Sequence, residues 1–140
     1  AVDLYAGAGL FSLALAGRFE RVIAVEAGAS AAADLVFNAS RNAAPVEAHK
    51  MTAETFLSRL EEPPDLILAD PPRAGLGRSV VRELLRLKPS EIRLVACDPV
   101  TLARDLGLLV GSGYRLEGLT LIDLFPQTYH FETVARLRAG

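Results

Sequence analysis

The chain is short of the residues that make disulfides and bind metals: one cysteine and two histidines in 140 residues. One thiol cannot form an internal disulfide, so the fold does not depend on an oxidising compartment, and cytoplasm is the expected location. So few ligands also argue against a metal site. No apolar run approaches the roughly 20 residues that a membrane span needs, and nothing at the start reads as a signal peptide. Excess positive charge is missing too, with 15 Lys and Arg against 17 Asp and Glu, a net of −2. That balance gives no electrostatic case for nucleic acid by itself. There is no initiator methionine, and Ala1-Val2-Asp3-Leu4-Tyr5 already reads as strand interior. The chain is therefore expected to be the last domain of a longer protein.

What is present describes one domain over residues 1–140. Hydrophobic residues make up 51% and charged residues 23%, which excludes disorder and is ample for a core. Charge is unevenly spread. Residues 1–72 hold five Lys and Arg against ten Asp and Glu, a net of −5, while residues 73–140 hold ten against seven, a net of +3. Either the two halves offer different surfaces or the asymmetry is chance variation.

Strand-length apolar runs alternate with helical periodicity, and Gly or Pro marks the joints. Strands are expected at about 1–6, 21–27, 46–50, 65–70 and 91–97, and helices at about 10–17, 29–42, 52–60, 78–87 and 100–111. Continuous hydrophobics such as Leu66-Ile67-Leu68-Ala69 imply parallel strands covered on both faces. Residues 114–124 and 131–138 break the rhythm as two strands with no helix between them. So short a link permits only antiparallel pairing. The expected fold is α/β: a Rossmann-like methyltransferase architecture, with a mostly parallel seven-stranded sheet ending in an antiparallel hairpin.

In such sheets a ligand lies beyond the carboxyl ends of the strands, where strand order reverses. Gly7-Ala8-Gly9 follows the first strand, and its glycines permit a sharp turn and close approach. Ser12 stands where a dinucleotide fingerprint needs its third Gly or Ala. Glu26 ends the second strand, Asp70 ends the fourth, and Asp3 lies within the first. Three carboxylates at one cleft would repel a pyrophosphate and suit a cation such as the sulfonium of S-adenosylmethionine (SAM). The alternative is that Asp3 and Glu26 only cap loops and backbone amides.

Chemistry is expected after the fourth and fifth strands. Asp70-Pro71-Pro72-Arg73 carries Arg73 where enzymes that methylate nucleobase amines place a stacking aromatic, which argues against that reaction. Cys97 ends the fifth strand in Ala96-Cys97-Asp98-Pro99. It is either a buried small residue or a nucleophile whose thiolate is favoured by the following helix and by Arg104 or Arg73. Glu132 begins the last strand, where spacing alone reads as an exposed hairpin carboxylate. His130 shares its strand face and reads as a supporting hydrogen-bond donor, while His49 reads as surface.

Four stretches together make the chain resemble the SAM-dependent RNA 5-methyluridine methyltransferases. They are Asp3-Leu4-Tyr5-Ala6-Gly7-Ala8-Gly9-Leu10-Phe11, Asp70-Pro71-Pro72-Arg73-Ala74-Gly75-Leu76, Cys97-Asp98-Pro99-Val100-Thr101-Leu102-Ala103-Arg104-Asp105, and Asp123-Leu124-Phe125-Pro126-Gln127-Thr128-Tyr129-His130-Phe131-Glu132. The resemblance implies that Cys97 attacks carbon 6 of a uracil and that Glu132 takes the proton from carbon 5. It places SAM against Tyr5, Glu26 and Asp70, with the Gly7–Gly9 loop beside them, and leaves Arg73 and His130 as candidate substrate contacts. The substrate it implies is a transfer or ribosomal RNA, held through an N-terminal region that this chain does not include.

Three departures stand out. Asp98 replaces the family's usual Asn, and a carboxylate beside the nucleophile works against attack. Leu10 replaces a small or polar residue. The RNA-binding region and the segment before the first strand are not in this sequence, so weak RNA binding is expected of the chain alone. Another nucleic-acid methyltransferase of the same fold, or an inactive SAM-binding module, are the alternatives.

Overall fold

Val22-Ile23-Ala24-Val25 and Ile92-Arg93-Leu94-Val95 are rich in the branched residues that fit a pleated sheet, and both are strands. The computed structural model describes residues 1–124, 126–128 and 131–140. The chain runs β1 (Val2–Leu4), α1 (Leu10–Ala16), β2 (Val22–Glu26), α2 (Ala29–Arg41), β3 (Val46–Lys50), α3 (Ala53–Arg59) and β4 (Leu66–Ala69). It continues through α4 (Gly77–Leu87), β5 (Glu91–Ala96), α5 (Pro99–Gly111), β6 (Tyr114–Ile122) and β7 (Glu132–Ala139). Every expected strand and helix forms. The first strand is shorter than expected, because Tyr5 leaves it with φ of 61°.

The seven strands line up as β3-β2-β1-β4-β5-β7-β6. The first five are mutually parallel. β7 enters antiparallel between β5 and β6, with a register shift between Leu116 and Gly118. The sheet grows outward from β1 to β3, then restarts on the other side of β1 with β4. Strand order therefore reverses between β1 and β4.

Period-two alternation divides the sheet into two faces. Val2, Leu4, Ile67, Ala69, Ile92 and Leu94 join the apolar cores of α3, α4 and α5. Leu66 and Leu68 pack instead with Leu15 of α1, and Ala24 packs with Leu35 of α2. Glu83 of α4 pairs with Arg86, whose guanidinium also donates to the carbonyls of Leu57 and Leu60, fastening α4 to the end of α3. No helix among the described residues is long and apolar enough to cross a membrane.

Candidate active site

The loop after β1 turns on three consecutive odd-numbered residues with positive φ: Tyr5 at 61°, Gly7 at 55° and Gly9 at 96°. Gly9 must lack a side chain, since a Cβ there would lie 2.7 Å from Leu35 Cδ1. Gly7 has nothing within 4 Å of that position, so its small size leaves open room beside the backbone. The loop is held in shape by Glu26 at the end of β2. One oxygen accepts the Gly7 amide at 2.9 Å and the other the Gly28 amide at 2.6 Å. Each oxygen keeps a second lone pair for a hydroxyl. Asn38 of α2 donates to the Ala8 carbonyl at 2.9 Å and closes the outer side. Tyr5 is half-buried, and burial pushes its hydroxyl up to about 12.

The other two carboxylates sit at different depths. Asp3 is 0% exposed, lies on the α1 face of β1 and accepts the Ser12 hydroxyl of α1 on Oδ2. Its Oδ1 has no partner, and burial pushes the carboxyl up to about 6. No oxygen of Asp3 reaches the surface, so it braces the loop from beneath. Asp70 follows β4 and is exposed, its amide bonded to the Leu4 carbonyl at 3.3 Å and its carboxyl raised by partial desolvation. Glu26 and Asp70 thus stand at the strand ends that flank the β1 loop, where strand order reverses.

Cys97 follows β5 and is half-buried. It lines a small pocket with Pro71, Arg73, Gly75, Asp98 and Thr101. The β5–β7 ladder ends at Ala96 paired with Thr133. Cys97 comes directly after Ala96 and Glu132 directly before Thr133, so antiparallel register brings these two positions side by side. Glu132 is half-buried at the first position of β7, rather than an exposed hairpin carboxylate. His130, the second candidate substrate contact, lies outside the described residues. His49 is half-buried on β3, bonded to Glu47 and edge-on to Phe56.

A model of the tRNA (uracil-5-)-methyltransferase family matches residues 1–65 and 63–139. The chain belongs to that family. An uncharacterized RNA methyltransferase of Thermotoga maritima is 41% identical over 140 residues, covering 99% of this chain and 32% of that protein. Another from Streptomyces coelicolor is 44% identical over 141 residues, covering 98% of the chain and 31% of the relative. The chain therefore spans about a third of the length of these curated relatives. Among solved structures, the Pyrococcus abyssi tRNA (uracil-54, C5)-methyltransferase in complex with S-adenosyl-L-homocysteine superposes with a TM-score of 0.85. It is 33% identical, with 97% of this chain and 33% of that chain covered. A precorrin-6y C5,15-methyltransferase of Geobacter metallireducens, 18% identical with a TM-score of 0.80, shares the Rossmann-like methyltransferase fold alone.

Against the family pattern, the two departures within the chain acquire physical meaning. Asp98 is the N-cap of α5: its Oδ1 accepts the Thr101 amide at 2.8 Å, and that bond, with Arg73 contributing last, holds its carboxyl below the usual range. The charge expected to oppose the thiolate is tied to the helix end. Leu10 opens α1 with 77% of its surface exposed at the rim of the loop. Arg104, expected near the thiol, binds Asp105 and the Ala74 carbonyl, both at 2.8 Å. Sequence reasoning missed the Asp98 cap and the group of Thr101, Arg104 and Asp105. Asp before Pro99 at the first helical position is a readable cap signal, and i, i+3, i+4 spacing is a readable helix face.

Proposed function

We propose that residues 1–140 are the catalytic domain of a SAM-dependent RNA methyltransferase that modifies carbon 5 of a uridine. The observation that carries this reading is the register that sets Cys97 beside Glu132 at the carboxyl end of β5. Family membership and the likeness to a tRNA uracil-54 enzyme support it.

The residues around the β1 loop suit SAM. Glu26 offers two remaining lone pairs to ribose hydroxyls, Gly7 leaves space for close approach, and Asp70 with Glu26 favours a cationic ligand. Tyr5 presents a half-buried ring at the same loop. When bound, SAM supplies an electrophilic methyl group on its sulfonium. The chain's own residues prepare the acceptor. Cys97 as thiolate adds to carbon 6 of uracil, and carbon 5 becomes nucleophilic. After carbon 5 is methylated, Glu132 takes its proton, and the electron pair expels Cys97 from carbon 6. Arg73, exposed beside the Cys97 pocket, is placed to meet the base or its phosphate. The base must leave its stack to reach Cys97.

The test uses the full-length protein, SAM and a transfer RNA carrying 5-fluorouridine. Fluorine at carbon 5 cannot leave as a proton does, so the expected result is a covalent protein–RNA band that survives denaturation. Methylation of an exocyclic amine with no adduct, or SAM binding without any turnover, would overturn the reading.

A further inference from the structure

Three side chains on one face of α5 grip the loop that follows β4. Thr101 Oγ1 donates to the Arg73 carbonyl at 3.0 Å, and Arg104 donates to the Ala74 carbonyl at 2.8 Å. Asp105 accepts the Leu76 amide on Oδ2 at 2.7 Å and Arg104 on Oδ1 at 2.8 Å. Spacings of i, i+3 and i+4 put all three on the same stripe of the helix. The loop is shaped to receive them. Gly75 has φ of 77°, and a Cβ there would run into the Asp105 carboxylate and the Arg104 guanidinium. Asp105 is 1% exposed, unusual for a carboxylate on a helix this close to the surface, and both its oxygens are satisfied within the grip.

The two segments so joined are those that carry the candidate chemistry. α5 starts two residues after Cys97, and the gripped loop starts with Asp70 and Arg73. We propose that Asp105 is a positioning residue for the transfer reaction, an inference that rests on the function proposed above. It fixes the Asp70–Leu76 loop to the Cys97 helix, so that thiol, Arg73 and Asp70 hold one relative placement. Misplacement by about 1 Å far from the reacting atoms is enough to slow an enzyme by about a hundredfold.

The experiment compares Asp105→Ala, Asp105→Asn, Gly75→Ala and the Gly75→Ala/Asp105→Ala double variant in the full-length protein. Each is assayed for methylation of transfer RNA at a temperature where circular dichroism shows it folded. Asp105→Ala is expected to lower kcat by about tenfold to a hundredfold, with the rate of 5-fluorouridine adduct formation falling in parallel. Asp105→Asn keeps an oxygen for the Leu76 amide and recovers part of the loss. Gly75→Ala strikes the same contact from the loop side, so it matches Asp105→Ala and the double variant loses nothing further. If Asp105→Ala does not fold, Asp105→Asn and Gly75→Ala carry the comparison. Wild-type kcat in these folded variants, or additive losses in the double variant, would overturn the inference alone. An inactive wild-type protein overturns the function on which it rests, and the inference with it.

Discussion

Cys97 and Glu132 stand one step beyond the last rung of the β5–β7 ladder, Ala96 with Thr133. The paired residues Ala96 and Thr133 fix where the two chains meet, and the next position on each chain follows from that rung. Two residues 35 positions apart in sequence thus come to the same end of the sheet, where they are the proposed nucleophile and base. Cys97→Ala is expected to abolish the covalent adduct and reduce methylation by on the order of 10³-fold or more. Glu132→Gln keeps the attack but removes the base. Turnover falls by about 10²–10⁴-fold, and the adduct accumulates on ordinary uridine transfer RNA. Denaturing gels separate these outcomes, since a Glu132→Gln variant with no trapped RNA would remove the base from its assigned role.

Asp98 holds the start of the helix that follows the thiol. Asn and Asp are equivalent N-caps, whereas Ala has no acceptor. Asp98→Asn is therefore expected to leave the melting temperature within about a degree, and Asp98→Ala to lower it by a few degrees. Calorimetry on the 140-residue chain distinguishes them. Equal melting of all three would show that the bond to Thr101 adds no stability.

Asp3 makes stability depend on pH. Burial lifts its carboxyl from 3.8 to about 6 in the folded chain. Between those values the native state keeps the proton that the unfolded chain releases. The contribution is therefore most favourable at acid pH and declines as pH rises from about 4 to about 6, by about 3 kcal/mol in all. Asp3→Asn removes the titration. Urea midpoints measured on both proteins from pH 4.5 to 7.5 should converge at the acid end and separate above pH 6, with the Asn variant the more stable. A pH-independent difference would contradict the assignment.

The two loop glycines should answer differently to the same change. Gly9→Ala meets both an unfavourable φ and the Leu35 side chain, which is fully buried and has nowhere to turn. A loss of about 2–3 kcal/mol in urea unfolding is expected. Gly7→Ala meets no neighbour and carries only the backbone penalty of about 1 kcal/mol. Its methyl group, however, enters the space assigned to SAM, so titration calorimetry should show weaker binding. Unchanged SAM affinity in Gly7→Ala would move the cofactor away from this loop.

The placement of several candidate site residues in the fold is legible in the sequence. Glu26, Asp70 and Cys97 each directly end or follow an apolar strand, and position at a strand's carboxyl end is a local property. The backbone of Tyr5 is not legible in this way, because left-handed conformation at a tyrosine has no residue signal comparable to glycine. By sequence alone Asp3 is one of three carboxylates that could converge on the cleft. Its partnership with Ser12 depends on which face of β1 the helix α1 covers, and that turns a surface ligand candidate into a buried brace. Closeness in sequence makes Arg104 a candidate neighbour of the thiol, but it does not choose the partners of its side chain. Its guanidinium is committed to the Ala74 carbonyl and to Asp105.

By itself the sequence determined the order of strands and helices, the parallel and antiparallel portions of the sheet, and the glycine turn, because hydrophobic periodicity and backbone freedom act over a few neighbouring residues. Only the tertiary structure decided what Asp105 and Thr101 grip and that Glu132 comes alongside Cys97. Those outcomes arise from packing between segments 28 to 35 residues apart, where register and helix orientation, rather than local spacing, choose the partner.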